Sequence, residues 1–357
     1  DLTGRRWNIA TGEPGAVISV DPNFSQLGFT DDGRWLLEGT PEGRVRLWSF
    51  ESGKVAHEWN QKGPITNLLA DTYCRRLVVS SEELVFFDLE KGKEITRVPA
   101  VPNTNIAKLK FSADGTVLVA QDAPQLGMTG DSHFKFYRAD DGERLKSREL
   151  ASEGEIFDFT VNRDGTAIAI ANFSSSAKIW HRDDEKLDRA FLFDTYPVNV
   201  LFSPDEHLLI AASTDGTVRI FDAEKETLAF EPISHDGRLE DLHISWDGRY
   251  LLTGTSRQAR VWDLSVGRAL TLPLEQTGRL EGASFSPDGG KLWIASSTGI
   301  QPWDAGKLEK TGPALLADKT PWDVIFDRTA HRLSARLEND RLLWLDFTAE
   351  HPMPMEW

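Results

Sequence analysis

FSPDGGKLWIASSTGIQPWD, residues 285 to 304, combines an Asp-Gly turn, a run of apolar and β-branched residues, a Ser/Thr cluster and an aromatic-Asp pair. Hydroxyls and carboxylates this close together could be a catalytic constellation or the wiring of a fold. Recurrence decides between them. Trp262, Trp303 and Trp344 are spaced 41 residues apart; Phe221 and Trp180 continue that step backwards, and Trp7 and Trp48 are separated by it again. Phe87 and Tyr137 break the step, with intervals of 39, 50 and 43 residues around them. The surplus in the longest unit coincides with DAPQLGMTGD, residues 122 to 131, which reads as a loop insertion.

Each unit repeats one internal order. A short strand runs into a turn, as in FTDDG (29–33), FSADG (111–115), VNRDG (161–165), FSPDE (202–206), ISWDG (244–248) and FSPDG (285–289). Asp-Gly supplies the left-handed residue that a tight hairpin needs. A second apolar strand follows, such as TAIAIAN or KLWIAS, and then a third that ends on the aromatic, such as GRVRLW or GTVRIF. TGE, SGK, KGK, DGE or VGR then turns the chain into a fourth. Four short antiparallel strands per unit of about 40 residues, without helical periodicity, predict an all-β fold.

The register resembles the WD-repeat β-propeller family, whose units have this length and end in a Trp-Asp pair. Trp262-Asp263 and Trp303-Asp304 match that pair, with Phe87-Asp88 and Phe221-Asp222 as weaker forms. The resemblance covers nearly the whole chain. It implies a single β-propeller of four-stranded blades over residues 1–357, with terminal strands sharing the closing blade. A lone blade cannot bury both its apolar faces, so blades stack until the ring closes. Eight blades are preferred, with seven, or a part of a longer array, as alternatives, because eight leaves one third strand surplus. Trp48, Phe87, Tyr137, Trp180, Phe221, Trp262, Trp303 and Trp344 are the expected structural aromatics between blades.

The family's intra-blade network joins a Gly-His pair, a Ser/Thr on the second strand, an Asp in the next turn and the Trp. No unit here keeps all of it. His235 stands at the His position, but its unit has Arg257 and Gln258 where the Asp belongs; Asp215 is well placed, but in a unit with Phe221 and no His. Blade stability is therefore expected to rest on packed aromatics.

Composition excludes several functions. A chain of 357 residues buries about three quarters of its unfolded surface without needing staples. The one cysteine, Cys74, forms no internal disulfide, and no Cys/His cluster has zinc spacing. A net charge of -16 argues against nucleic acid, whose non-specific binding depends on clustered Lys and Arg. No apolar run is long enough for a membrane span. The start, DLTGRRWNIATGEP, has neither a signal-peptide core nor an initiator Met, so the chain reads as a mature product or an excised piece. The cysteine count fits a cytoplasmic location, with an extracytoplasmic one if a membrane helix outside this chain tethers it.

Nucleophile motifs, phosphate-cradling loops and metal spacing are absent from the sequence, and no cofactor is expected. His181 and His243 sit in strand registers, and Ser174 to Ser176 read as a solvated turn. Gln26, Thr66, Lys108, Asp158, Asn199, Asp241, Gly282 and Asp323 recur three residues before the first strand ends. They read as polar groups facing a water-filled channel; the competing reading is a cation or ligand seat shared by Asp158, Asp241 and Asp323.

The leading functional expectation is a non-enzymatic platform that binds protein partners or other domains of a larger assembly, with no nucleic acid and no direct membrane insertion. Loops joining fourth to first strands share one face with those joining second to third. On that face the register places Tyr196, Arg238, Arg257, Arg279, Lys319 and Trp322, of the residue types that anchor interfaces. TLAFEPISHDGRLEDL, RALTLPLEQTGRLEGASFSPDG and TGPALLADKTPWDV are similar to degenerate bacterial WD repeats that follow a serine/threonine kinase domain, which implies a sensory or scaffolding role. The alternative is a propeller hydrolase or lyase at the channel mouth, with Asp241 or Asp323 as base and His235 as acid.

Overall fold

The computed structural model describes residues 3–7, 14–21, 23–30, 32–99, 104–124, 130–152, 155–256, 258–269, 279–286, 288–315, 321–326, 332–337 and 341–346. For residues 3–7, 14–17, 240–241, 268–269, 322–326, 332–337 and 341–346, only the backbone is described. Two strands open the chain, β1 (Thr3–Trp7) and β2 (Pro14–Ser19). Blade 1 follows with β3 (Gln26–Phe29), β4 (Trp35–Gly39), β5 (Arg44–Ser49) and β6 (Val55–Asn60). Blade 2 has β7 (Asn67–Ala70), β8 (Arg76–Ser80), β9 (Glu83–Asp88) and β10 (Lys93–Pro99). Blade 3 has β11 (Thr104–Phe111), β12 (Val117–Pro124), β13 (Ser132–Arg138) and β14 (Ala151–Ser152). Blade 4 has β15 (Ile156–Val161), β16 (Ala167–Asn172), β17 (Ser176–His181) and β18 (Arg189–Leu192). Blade 5 has β19 (Pro197–Phe202), β20 (Leu208–Ser213), β21 (Thr217–Asp222), β22 (Thr227–Leu228) and β23 (Ile233–Ser234), the last two both pairing with β21. Blade 6 has β24 (Leu239–Ile244), β25 (Tyr250–Thr255), β26 (Ala259–Asp263) and β27 (Arg268–Ala269). Blade 7 has β28 (Leu280–Phe285), β29 (Lys291–Ser296) and β30 (Gly299–Asp304). The eighth sheet collects β31 (Pro321–Phe326), β32 (Arg332–Leu337) and β33 (Arg341–Asp346) with β1 and β2, in the order β2-β1-β33-β32-β31.

First strands of most successive blades stand side by side, as β3 against β7, β15 against β19 and β28 against β31. Second strands carry the core because both their faces are apolar. Leu77 and Val79 of β8 pack on Leu37 and Leu47 of blade 1, while Val78 between them packs on Leu109 and Leu118 of blade 3. In β16 the same alternation sends Ile168 and Ile170 toward Val119 and Phe136, and Ala167, Ala169 and Ala171 toward Leu209 and Ala211. A strand pleats with period two, so one run of apolar residues serves two interfaces. Each buried aliphatic or aromatic side chain contributes about 1.5 to 3 kcal/mol.

The Asp-Gly turns are wired by their own side chains. Ser203, Ser245 and Ser286 each donate to the Asp two residues on at 2.5 Å, and each hydroxyl accepts a backbone N–H from the start of the next strand. The Ser286 hydroxyl and the Gly290 amide hold the Asp288 carboxyl below its ordinary value. Turns of neighbouring blades also touch. Gly165, at φ 70°, would place a Cβ 2.4 Å from that of Val117 in blade 3, so nothing larger fits. Glu206 takes the left-handed position of its own turn at φ 65°, and its carboxylate accepts the Arg163 N–H of blade 4.

Three features depart from the expected plan. Residues 122–124 belong to β12, which pairs with β11 as far as Thr104, so the insertion starts as an extension of the hairpin. In blade 7 the third strand meets its outer neighbour only at isolated bridges, Trp303 to Lys310 and Ile300 to Leu315. The closing sheet has five strands, because β1, the surplus third strand, lies parallel to β33 with Arg5 to Trp7 beside Leu343 to Leu345. Its neighbour β2 then reaches blade 1, where Ile18 and Val20 pack with Leu36, Trp48 and Phe50.

A buried carboxylate stitches that junction. Glu38, fully buried on β4, accepts from Trp48 Nε1 at 2.5 Å, from Arg46 Nη1 at 3.2 Å and from the Asp21 N–H just after β2 at 2.9 Å. Truncating it strands three donors. Glu38→Ala should cost about 3 to 5 kcal/mol in chemical denaturation, whereas Glu38→Gln, which keeps an acceptor, should cost less. Midpoints unchanged from the wild type in both variants would show that the carboxylate is not holding the junction.

Candidate functional site

Backbone hydrogen bonds place the fourth-to-first and second-to-third loops on one face. Gln61 N–H donates to Gly43 O at 2.7 Å in blade 1, Phe173 N–H to Glu155 O at 3.1 Å in blade 4, Thr214 N–H to Tyr196 O at 3.0 Å in blade 5, and Ser297 N–H to Arg279 O at 2.9 Å in blade 7. Tyr196, Arg238 and Arg279 are exposed there. Arg279 lies 4.0 Å from Glu281. Arg257 and Lys319 lie outside the described residues, and of Trp322 only the backbone is described, paired with Arg336.

First strands reach this face through a repeated irregularity. Pairing between first and second strands slips between Ile106 and Lys108, Ile156 and Asp158, Pro197 and Asn199, Leu239 and Asp241, and Leu280 and Gly282. Each slip leaves one residue unpaired, respectively Ala107, Phe157, Val198, Glu240 and Glu281, and such bulges re-aim side chains. In the closing sheet the slip follows Trp322.

Blade 4 fills that register with an aromatic. The Phe157 ring lies 5.9 Å from Phe173 in the second-to-third loop, and Phe173 stacks on Tyr196 at 4.3 Å and 20°. Phe173 is 59% exposed and Tyr196 37%. Three aromatics thus meet at the junction of blades 4 and 5, two of them substantially wet. Sequence reasoning named Tyr196 alone. The missed signal was the register: Phe157 precedes Val198 by the repeat length and so occupies the position that Trp322 holds in the last unit. Ser174 beside it is tied down, donating to Asn172 Oδ1 at 2.5 Å, as a hydrogen-bonded turn.

The channel carboxylates do not assemble into a site among the described side chains. Asp158 accepts from Lys110 Nζ at 2.9 Å and from the Val200 N–H at 3.3 Å, so it bridges blades 3, 4 and 5. The side chains of Asp241 and Asp323 lie outside the described residues. Among the described residues no three His, Cys, Asp or Glu groups are placed to hold a metal ion.

The third-strand aromatics are buried to different degrees. Phe87, Tyr137, Phe221, Trp48 and Trp303 are buried, whereas Trp180 and Trp262 are half-buried against the cores of their interfaces. The Trp344 side chain lies outside the described residues. What stands on the second strand diagonally opposite decides their polar contacts. Glu38 and Thr253 accept from Trp48 and Trp262, but blade 7 has Ile294 there, and Trp303 Nε1 is buried without a partner among the described residues.

Eight stacked sheets, antiparallel but for the β1–β33 pair, with interlocked turns define a β-propeller. The WD40 family (WD domain, G-beta repeat) matches residues 193–222 and 227–263, so WD40 repeats are present in blades 5 and 6. The chain is similar to the target of rapamycin complex subunit LST8 of Saccharomyces cerevisiae, 21% identical over 51% of this chain and 61% of that protein. It also resembles a ribosome biogenesis protein BOP1 homolog of Oryza sativa, 21% identical over 67% of this chain and 34% of that protein, and the nuclear distribution protein PAC1 of Arthroderma otae, 32% identical over 30% and 26%. The matches thus span less than two thirds of those relatives. A crystal structure of the computationally designed Ika8 protein superposes with a TM-score of 0.70 over 92% of this chain and 98% of its own, at 13% identity, a likeness of fold alone.

The second matched segment holds the fullest remnant of the family network. Trp262 Nε1 donates to Thr253 Oγ1 at 2.9 Å, and His235, 7% exposed, meets the Trp262 ring edge-on at 6.4 Å. His235 Nε2 is buried without a partner among the described residues. Burial, helped by Arg260 and opposed by Asp236, lowers its pKa from 6.5 to about 4. A neutral imidazole inside a blade is a poor general acid, and this corrects the role that the hydrolase alternative gave it. Because the unfolded chain binds this proton more tightly, the stability that neutral His235 permits is complete above about pH 6.5 and falls as pH drops toward 4. Relative to His235→Phe, the wild type should lose about 3 kcal/mol across that interval in denaturation at stepped pH. A difference between the two that stays level down to about pH 4.5 would show that His235 is not held neutral.

Proposed function

We propose that this propeller is a non-enzymatic protein-binding scaffold or sensory platform, a single domain and a module of a larger assembly. The observation that carries the reading is the Phe157, Phe173 and Tyr196 patch, where large aromatic surface is left in water on the loop face. Such surface is costly in water and characteristic of anchors that a partner covers. Kinship points the same way: one relative is by name a subunit of a complex. Protein partners, rather than nucleic acid, fit the net charge of -16. No helix among the described residues is long and apolar enough to cross a membrane. A single cysteine, the buried Cys74, fits a cytoplasmic setting. The kinase-linked bacterial style of repeat rests on sequence alone, since the relatives named above are eukaryotic. On this reading Arg238 and Arg279 belong to the rim of the binding face, with Arg257, Lys319 and Trp322 as further candidates.

The test compares capture with stability. Phe173→Ala combined with Tyr196→Ala should leave the melting temperature near that of the wild type, because both rings are exposed, and should weaken capture of native partners by 2 kcal/mol or more, about thirtyfold. Arg279→Ala should act more weakly, as rim charges do. Unchanged capture by the folded double variant would remove this patch as the binding surface.

A further inference from the structure

The aromatic pair on this face differs in what covers it from three other rings, of which Tyr73 is exposed and Tyr250 and Phe193 are buried. Arg75 lies over the exposed Tyr73 ring at 5.1 Å, Arg249 over Tyr250 at 4.9 Å and Arg219 over Phe193 at 5.0 Å. Among the described residues, no Lys or Arg lies over Phe173 or Tyr196, which stack only with aromatics. The surrounding loops supply the opposite charge. Asp131, Glu155, Asp194 and Asp215 are exposed in loops of this face, and the described loop residues 130–131, 155, 173–175, 193–196 and 214–216 include no Lys or Arg. Lys108 and Arg219, on neighbouring strands, are engaged: Lys108 donates to the Phe157 carbonyl, and Arg219 pairs with Asp194 while covering Phe193.

We propose that this patch binds an extended protein segment presenting an arginine next to an apolar residue. The guanidinium stacks on the open faces of Phe173 and Tyr196 with Glu155 as its nearby counter-charge, and the apolar side chain covers Phe157. Arginine fits better than lysine because its planar, weakly hydrated head stacks on a ring, whereas an ammonium keeps its water. Arg219 over Phe193 beside Asp194 shows the same combination of ring, guanidinium and carboxylate at the edge of the patch. The inference rests on the platform reading and adds the chemistry of the partner.

The experiment is fluorescence anisotropy with a short labelled peptide of alternating arginine and leucine, set against versions with lysine or glutamine in place of arginine. The arginine peptide should bind several-fold more tightly than the lysine one. Phe173→Leu with Tyr196→Leu, which keeps apolar area but removes the ring faces, should weaken it about tenfold. Glu155→Gln should weaken it less, by an amount that shrinks as salt is added. The single change Phe173→Leu, at a side chain 59% exposed, supplies the same comparison if the pair melts early. Equal binding of arginine and lysine peptides, or full binding by the leucine variants, would reduce the attraction to the chain's overall negative charge and overturn the proposal. Should native capture be lost with the alanine pair while the peptide series stays flat, the platform stands and the arginine chemistry falls.

Discussion

Every part of this molecule depends on the two-faced second strand. A strand such as AIAIAN in blade 4 has no side to turn to water, so its sheet persists only between two others. The need is met at both faces of every blade only if the row of sheets curls round on itself, which the right-handed twist of strands makes geometrically available. Local signals then only have to define where each strand starts and stops. The Ser-x-Asp turns do this with hydrogen bonds of their own, while the opposite loops combine buried members such as Ile65 and Phe193 with side chains left in water.

That division explains where the acidic residues of the chain matter. Asp205, Asp247 and Asp288 are consumed by turn hydroxyls and amides, and Asp158 by Lys110 and a backbone amide in the ring's interior. Carboxylates of the other face, Glu155 and Asp131 among them, stand in water. A catalytic reading of FSPDGGKLWIASSTGIQPWD fails for the same reason, since Ser286 and Asp288 are bonded to each other and to the turn they form.

Residues whose role is set by repetition were legible from the sequence. The third-strand aromatics and the turns could be read because each has several counterparts at a fixed distance, and the sheets follow that register. Residues that depart from the repeat were not. Glu38 stands where blade 6 has Thr253, and nothing local distinguishes a buried glutamate bonded to an indole from a solvated one. Phe157 occupies a bulge register filled elsewhere by Ala107, Val198, Glu240 and Glu281, and its meeting with Phe173 and Tyr196 is a contact between loops that only the assembled blades create. Parallel pairing of β1 with β33 was hidden for a different reason: a surplus third strand has no repeat-based partner, and its place depends on what edge the finished ring leaves open.

The pairing of Arg5 to Trp7 with Leu343 to Leu345 also sets a timetable. On the ribosome, β1 waits through the synthesis of seven further blades before the edge it needs exists. Contacts of such sequence separation form late and slowly, because the intervening chain must be ordered first. Throughout that wait Ile18 and Val20 can already settle against Leu36 and Trp48, since blade 1 follows immediately. The growing ring is then an open arc in which one edge of β1 is still unpaired, the stage at which a chaperone has the most to shield and a neighbouring nascent chain has the best chance of pairing in the wrong place.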